Sequence, residues 1–321
     1  MKDLARTISY PMSGRYLIAI GDLHGHYPAL DALLTGLDQT YGIFLDRQRL
    51  LLQSWVDLAS TGDSIDRGDH ALEIIDTYQQ LECNNPQRVH LLPGNHELLA
   101  LADLDLVREV NASLSPTADW EEVRLTLVFG KGSMHAYNGG MEFIKEFGPD
   151  PKTALSNYVQ RMSHDGDIGK WLRGLEPCFQ ANFSGKKILF SHADIPVQSG
   201  DHGSIRVYTQ DHRRRMGTDS FNMGGTARKF DPGAKSIFWE RRFDQSTQPE
   251  IEELVQRLKV DYLVTGHTPH KKITSYFGRA FDLDVGMTPN YGANQPAALV
   301  IKKEGIFAFY VNDGEKQLVR W

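Results

Sequence analysis

Short apolar runs that stop at small polar residues recur along the chain, and between them leucines return at helical spacing. Tyr16-Leu17-Ile18-Ala19-Ile20 ends at Gly21-Asp22, as a buried strand does, and Leu30, Leu33, Leu34 and Leu37 then mark one face of a helix. Val56 to Ala59 predicts a strand ending near Thr61-Gly62-Asp63, and Leu72, Ile75, Tyr78 and Leu81 a helix after it. Val89-His90-Leu91-Leu92 predicts a third strand, ending at Pro93-Gly94-Asn95. Strand, tight turn and helix in repetition predict an α/β domain, whose ligands collect beyond the carboxyl ends of strands.

The pattern then changes. Residues 100–185 are helical and loop-rich, including Phe129-Gly-Lys-Gly-Ser-Met-His-Ala-Tyr-Asn-Gly-Gly140, and predict a cap-like insertion rather than a second core. Strand character returns at Lys187-Ile188-Leu189-Phe190. A polar, basic stretch at 200–235, containing Arg213-Arg214-Arg215, predicts a long surface excursion whose arginines are solvated. Ile251, Leu254, Val255 and Leu258 predict another helix, followed by strands at Tyr262–Thr265, Ala280–Val285, Ala297–Ile301 and Ile306–Tyr310, the last two forming a hairpin. There is no internal repeat, so residues 1–321 are expected to form one domain carrying these two insertions.

Composition narrows the function classes. The 321 residues carry 41 acidic and 35 basic side chains, a net charge of −6, with 40% hydrophobic residues, the balance of an ordinary globular protein. Mild acidity argues against nucleic acid as the main partner. Two cysteines, Cys83 and Cys178, cannot make a disulfide framework, and a reducing compartment follows. No segment has the length and apolarity of a signal peptide or a membrane span, so a cytoplasmic location without membrane contact is expected. The 12 histidines are the remaining oddity, and their positions carry the chemistry.

Five predicted strands each end in a short polar motif. In Gly21-Asp22-Leu23-His24-Gly25, Asp and His two residues apart on an extended segment point the same way and can reach one metal ion. In Gly62-Asp63-Ser64-Ile65-Asp66-Arg67-Gly68, a carboxylate such as Asp63 can bridge two cations, and Arg67 offers a fork suited to phosphate. Gly94-Asn95-His96-Glu97 places an amide oxygen before a titratable imidazole. Ser191-His192-Ala193-Asp194 and Gly266-His267-Thr268-Pro269 follow the later strands. Any one of these is ordinary turn chemistry. The set in this order is not.

Together GDLHG, GDSIDRG, GNHE, SHAD and GHTP resemble the signature of calcineurin-like metallophosphoesterases, in the phosphoprotein phosphatase branch and the bacterial and lambda-phage protein phosphatase type. SHADIP, Phe238-Trp239-Glu240-Arg241 and Asp282-Leu-Asp284-Val-Gly286 extend the likeness, which therefore covers most of the chain. The resemblance implies a metallophosphatase β-sandwich of two mixed sheets flanked by helices. It implies two divalent metal ions, one held by Asp22, His24 and Asp63 and the other by Asp63, Asn95, His192 and His267. The mixed nitrogen and oxygen donors suit Mn²⁺, with Fe or Zn²⁺ as alternatives.

The implied reaction is direct attack of a metal-bridging hydroxide on a phosphomonoester, with His96 as general acid, Asp66 orienting it, and Arg67 and Arg241 holding the phosphate oxygens. Phosphorylated protein or peptide (Ser/Thr, and also Tyr), or a small phosphate ester, is the expected substrate. A dinucleoside polyphosphate or nucleotide hydrolase is the alternative, and a non-catalytic scaffold a third. Two departures stand out: Pro93 occupies a position where many relatives carry Arg, which brings Arg242 into consideration, and His192-Ala193-Asp194 replaces the eukaryotic HGG. Asp194 is open between orienting His192 and serving a turn. His26 and His70 are expected to cap helices or face solvent, His270 to lie outside the ligand set, and Trp239 to pack in the core. Tyr137-Asn138-Gly139-Gly140 resembles a segment near the phage-type active site.

Overall fold

The computed structural model describes residues 6–9, 15–196, 236–292 and 294–321. The excursion at 200–235, with Arg213–Arg215, lies outside the described residues.

The strands form two six-stranded mixed sheets and a small ribbon. In chain order they are β1 (Arg6–Ser9), β2 (Tyr16–Ile20), β3 (Phe44–Asp46), β4 (Leu51–Leu52), β5 (Val56–Ser60), β6 (Val89–Leu91), β7 (Cys178–Phe183), β8 (Lys186–Ser191), β9 (Tyr262–Thr265), β10 (Thr274–Tyr276), β11 (Ala280–Asp282), β12 (Ala297–Lys302), β13 (Gly305–Tyr310) and β14 (Gly314–Arg320). One sheet runs β14-β13-β12-β2-β5-β6 and the other β1-β7-β8-β9-β11-β10. The helices are α1 (Tyr27–Tyr41), α2 (Ala71–Asn84), α3 (Asn95–Ala102), α4 (Leu104–Ser113), α5 (Trp120–Leu125), α6 (Met141–Lys145), α7 (Pro151–Met162), α8 (Asp167–Gly174) and α9 (Gln248–Leu258). Among the described residues no helix is long and apolar enough to cross a membrane.

Topology explains where the polar motifs go. β2, β5 and β6 are consecutive parallel neighbours in one sheet. β8, β9 and β11 are consecutive parallel neighbours in the other. Within each sheet the carboxyl ends of these strands therefore emerge side by side, and every polar motif lies just beyond one of them. Behind them the interior is apolar. Leu17, Ile18, Leu58, Leu299 and Val300 of the first sheet and Ile188, Phe190, Leu263 and Val264 of the second belong to one buried apolar cluster. Leu30, Leu33, Leu34 and Leu37 press α1 onto it, and Ile74, Ile75, Tyr78 and Leu81 do the same for α2.

Two features depart from the expected pattern. The strand beginning at Ala280 stops at Asp282, because Asp282, Asp284 and Gly286 bond to one another locally and Asp284 O accepts from His270 N instead of extending a ladder. β7 and β14 carry no clear strand signal in the sequence. Half of β7 is amphipathic, with Gln180 and Asn182 between buried residues, and β14 is an edge strand with no fully buried position. The helical region after α3 also joins the main cluster, through Val107, Phe143, Ile144, Leu155 and Tyr158.

One buried charge in the sheet invites a test. Asp57 on β5 is fully covered, and burial pushes its carboxyl up to about 6 although Arg15, 3.3 Å away, and Arg88 oppose the shift. A folded-state value above the unfolded one means the carboxyl supports the fold while protonated, and that support is lost as pH rises through about 6. Asp57→Asn should therefore gain on the order of 1–3 kcal/mol on the parent chain between pH near 4 and pH near 7.5, by denaturant unfolding. A variant-to-parent difference that is the same at both pH values contradicts this.

Candidate active site

The five motifs interlock through their backbones. Asp63 O accepts from Leu23 N (3.1 Å) and His24 N (2.9 Å), and Gly25 N donates to Ser64 O (2.9 Å). Gly266 N donates to His192 O at 2.7 Å, and His267 N reaches both oxygens of Asp22 at 3.2 and 3.1 Å. The turn after β5 is gathered by Glu97. Its carboxylate accepts from the N–H groups of Asp63, Ser64, Ile65 and Gly94 at 2.7–3.3 Å. Gly94 has to be a glycine, because a Cβ there would meet Asp63 Oδ1 at 2.0 Å.

This scaffold holds His24, Asp63, Asp66, Arg67 and His267 at positive φ, from 45° to 77°, which is left-handed backbone that L side chains rarely adopt. Such strain concentrates at working sites and persists only where the surroundings over-determine it.

Among the described residues, two groups of side chains could hold a metal ion, and Asp63 belongs to both. His24, Asp63 and His96 form one and Asp63, His192 and His267 the other, all buried, with donor atoms within 4.8 Å of one another in each. Asp63 Oδ2 lies 3.7 Å from His24 Nε2, and Oδ1 lies 3.5 Å from His192 Nε2. The chemistry of the second group favours a cation. His192 Nδ1 is 2.8 Å from the carbonyl of Thr61, so that nitrogen carries the proton and Nε2 presents a lone pair. That lone pair faces Asn95 Oδ1 at 2.9 Å and His267 Nδ1 at 3.2 Å. His192 Nε2 and the Asn95 amide oxygen are both acceptors with no proton between them, and such a pair repels unless a cation is shared.

The electrostatics agree. Burial drives His24 and His267 well below, and His192 below, the ordinary histidine value, leaving neutral imidazoles competent as ligands. Burial opposes charge on Asp63, but His192, His96 and His24 around it outweigh that and hold the carboxyl well below the usual range. Asp22 is pushed well above it, first by burial and then by Asp284, Asp63 and Asp282. Several buried carboxylates facing each other are stabilised by bound cations.

His96 opens α3, with Nδ1 2.6 Å from Asp66 Oδ2. Burial lowers its proton affinity, but Asp63 and Asp66 more than offset this and raise it. Arg67 places Nη1 2.6 Å from His24 Nε2 and Nη2 3.0 Å from His96 Nε2, with its guanidinium over the Tyr291 ring at 4.9 Å.

The other residues singled out in the sequence take several places. Arg241 is exposed, and its charge acts on His192 and His267, whereas Arg242 acts on Glu250. Asp194 does not touch His192; its oxygens take Arg242 N (2.6 Å), Phe243 N (2.7 Å) and the Thr265 hydroxyl (3.4 Å), so it serves the backbone of the 236–243 segment. His26 and His70 precede helices without capping them: His26 Nδ1 bonds Met287 O at 2.9 Å, and His70 pairs with Asp69. His270 lies outside both metal groups, beside Tyr276 and Asp244. Trp239 is partly buried, its ring edge-on to His267 at 5.9 Å. Glu97 and His135, the latter bonded to Asp66, are site residues that the sequence alone does not single out.

Residues 16–271 match the family model described as calcineurin-like phosphoesterase. The chain belongs to this family. The family is one of phosphoester hydrolases, and this chain carries His and Asp groups able to bind metal. Among solved structures, this phosphoesterase is similar to a cold-active protein-tyrosine phosphatase from a psychrophilic Shewanella species, at 18% identity and a TM-score of 0.67, covering 99% of this chain and 85% of that one. It is also similar to a Saccharomyces cerevisiae protein serine/threonine phosphatase, at 13% identity and a TM-score of 0.51, covering 94% and 77%. At those identities the likeness is one of fold. A 79-residue stretch is 37% identical to the serine/threonine-protein phosphatase BSL2 of Arabidopsis thaliana, which is 24% of this chain and 7% of that protein.

The Glu97 clamp gives a prediction. Glu97→Ala strands four buried N–H groups and should cost roughly 3 kcal/mol in thermal or denaturant unfolding. Mn²⁺ affinity by calorimetry should fall by about tenfold or more, as Asp63 loses its support. Unaltered affinity in the variant counts against the clamp.

Proposed function

We propose that this phosphoesterase is a binuclear metal-dependent phosphatase acting on phosphomonoesters, with phosphorylated protein or peptide as the substrate class. The observation that carries this reading is Asp63, one carboxylate common to both metal-competent groups. Asp22, His24 and Asp63 would hold one ion; Asp63, Asn95, His192 and His267 would hold the other. The nitrogen and oxygen donors without thiolate favour Mn²⁺, with Fe or Zn²⁺ also accommodated. Bound there, two divalent cations would lower the pKa of a water and neutralise charge at phosphorus for in-line displacement.

The chain's own residues supply the rest. His96 is the general acid: Asp66 takes its Nδ1–H, so Nε2 faces the side of the site occupied by Asp63 and Arg67, where it can give a proton to the leaving oxygen. Arg67 presents its fork at the same place and grips the phosphoryl oxygens, with Tyr291 beneath the guanidinium and Asn290 Nδ2 holding Arg67 O at 3.0 Å. Arg241 contributes the second cation, its charge falling on His192 and His267. No protein nucleophile is required. The phosphoprotein substrate class is supported by relatives named as protein-tyrosine and serine/threonine phosphatases.

The test is a substrate panel with metal analysis. Chelator-sensitive, Mn²⁺-restored phosphate release from p-nitrophenyl phosphate and from a phosphopeptide is expected. Strong turnover of diadenosine tetraphosphate with negligible phosphopeptide activity would overturn the substrate class. Well-folded protein with neither metal nor activity would point to a scaffold. His96→Asn should keep both metals and lose on the order of 10²-fold or more in kcat. Asp63→Asn should instead lose metal, and a fully metallated Asp63→Asn protein contradicts the bridging assignment.

A further inference from the structure

We propose that His135, supplied by the helical segment after α3, is a positioning residue for the proposed reaction, fixing the Asp66 carboxylate that orients His96. The inference rests on His96 acting as the general acid. Asp66 is fully buried and has two oxygens, each facing an imidazole: Oδ2 lies 2.6 Å from His96 Nδ1 and Oδ1 lies 2.8 Å from His135 Nε2. A carboxylate only accepts, so both nitrogens carry protons. With one donor, Asp66 could swing about its Cβ–Cγ bond and take the His96 ring with it. With both oxygens held, the ring plane of His96 and the direction of its Nε2 are fixed.

The commoner role for a buried histidine is to be a satisfied member of the core, and two observations argue for more. The first is how His135 is anchored. Its backbone N–H and the Ser133 hydroxyl both donate to Asp103 Oδ2, at 2.8 and 2.7 Å. Asp103 immediately follows α3, the helix that begins Asn95-His96. One short helix therefore sets both imidazoles, His96 through its first turn and His135 through the residue that ends it.

The second observation is the space made for the ring. A Cβ on Gly140 would meet three atoms of the His135 imidazole at 2.4–2.6 Å, so glycine there lets the ring pass to Asp66. Tyr158 stacks on the ring at 6.2 Å, its hydroxyl 3.5 Å from Nδ1, and Phe143 meets it edge-on. The neighbouring Gly139 gives its carbonyl to Arg67 N at 3.1 Å. The same two glycines thus seat the Asp66 support and the phosphate-facing arginine.

Leaving-group dependence separates positioning from packing, because a general acid matters most when the leaving oxygen is basic. The readout is the ratio of kcat for p-nitrophenyl phosphate to kcat for phenyl phosphate in the Mn²⁺-loaded full chain. His135→Phe keeps a flat ring without the donor and should raise this ratio by about tenfold with metal content unchanged. His135→Gln, whose amide can still donate to Asp66, should return it towards the parent value. Gly140→Ala displaces the ring without altering it, and carries the test if His135→Phe does not fold. Equal losses on both substrates, or a His135→Gln chain no better than His135→Phe, overturn the proposal. So does failure of both the His135→Phe and Gly140→Ala chains to fold beside a His135→Gln chain with altered stability and a parental ratio, which makes His135 a core residue. His96→Asn is the control: if it leaves the ratio unchanged, the general-acid reading has failed rather than the role of His135.

Discussion

A single carboxylate shared between two sets of imidazoles is the constraint on which the rest of this structure depends. Asp63 is buried, ionised and within 3.5–4.0 Å of nitrogens on His24, His96 and His192. Nothing in ordinary packing brings a carboxylate and several neutral imidazoles into a dry pocket, since desolvating each polar group is costly. It is held there by force. Its backbone is left-handed, Glu97 takes its N–H, its carbonyl takes two N–H groups from the Gly21–Gly25 turn, and the absent side chain of Gly94 leaves room for its oxygens.

The two sheets make that force available. Parallel strands β2, β5 and β6 and parallel strands β8, β9 and β11 deliver their following turns to common edges, while the strands themselves bury apolar side chains that stabilise the whole. Strain at five site residues is therefore offset far from where it is stored. The same division explains why the charge of the whole chain, −6, says little about the site. Local charge is set by Asp63, held ionised, on one side and by Arg67 and Arg241 on the other, and bound cations would shift that balance towards phosphate.

Much of this was legible in the sequence, for a physical reason. A strand buried in a sheet shows as an uninterrupted apolar run, and the polar residues that end it mark the place where ligands gather, so the motifs holding Asp22, Asp63, Asn95, His192 and His267 stand out by position while their roles come from the family resemblance. His135 does not stand out. It sits in a segment of irregular helical turns, 69 residues from the carboxylate it holds, with no periodic pattern to place it. Glu97 was visible as a motif letter, but its role as an acceptor for four backbone N–H groups depends on turn geometry that spacing does not encode. The sequence leaves Asp194 open between orienting His192 and serving a turn, because it does not show that its oxygens are taken by the chain returning at Arg242 and Phe243. β14 was silent because an edge strand with a solvated face has no buried stripe to read.

The most direct measurement is electron paramagnetic resonance during titration of the metal-free chain with Mn²⁺. If Asp63 bridges two ions about 3.5–4 Å apart, two equivalents bind per chain and the second converts an isolated-ion spectrum into an exchange-coupled one. Saturation at one equivalent, or two ions that keep independent six-line spectra, would contradict the shared-carboxylate account.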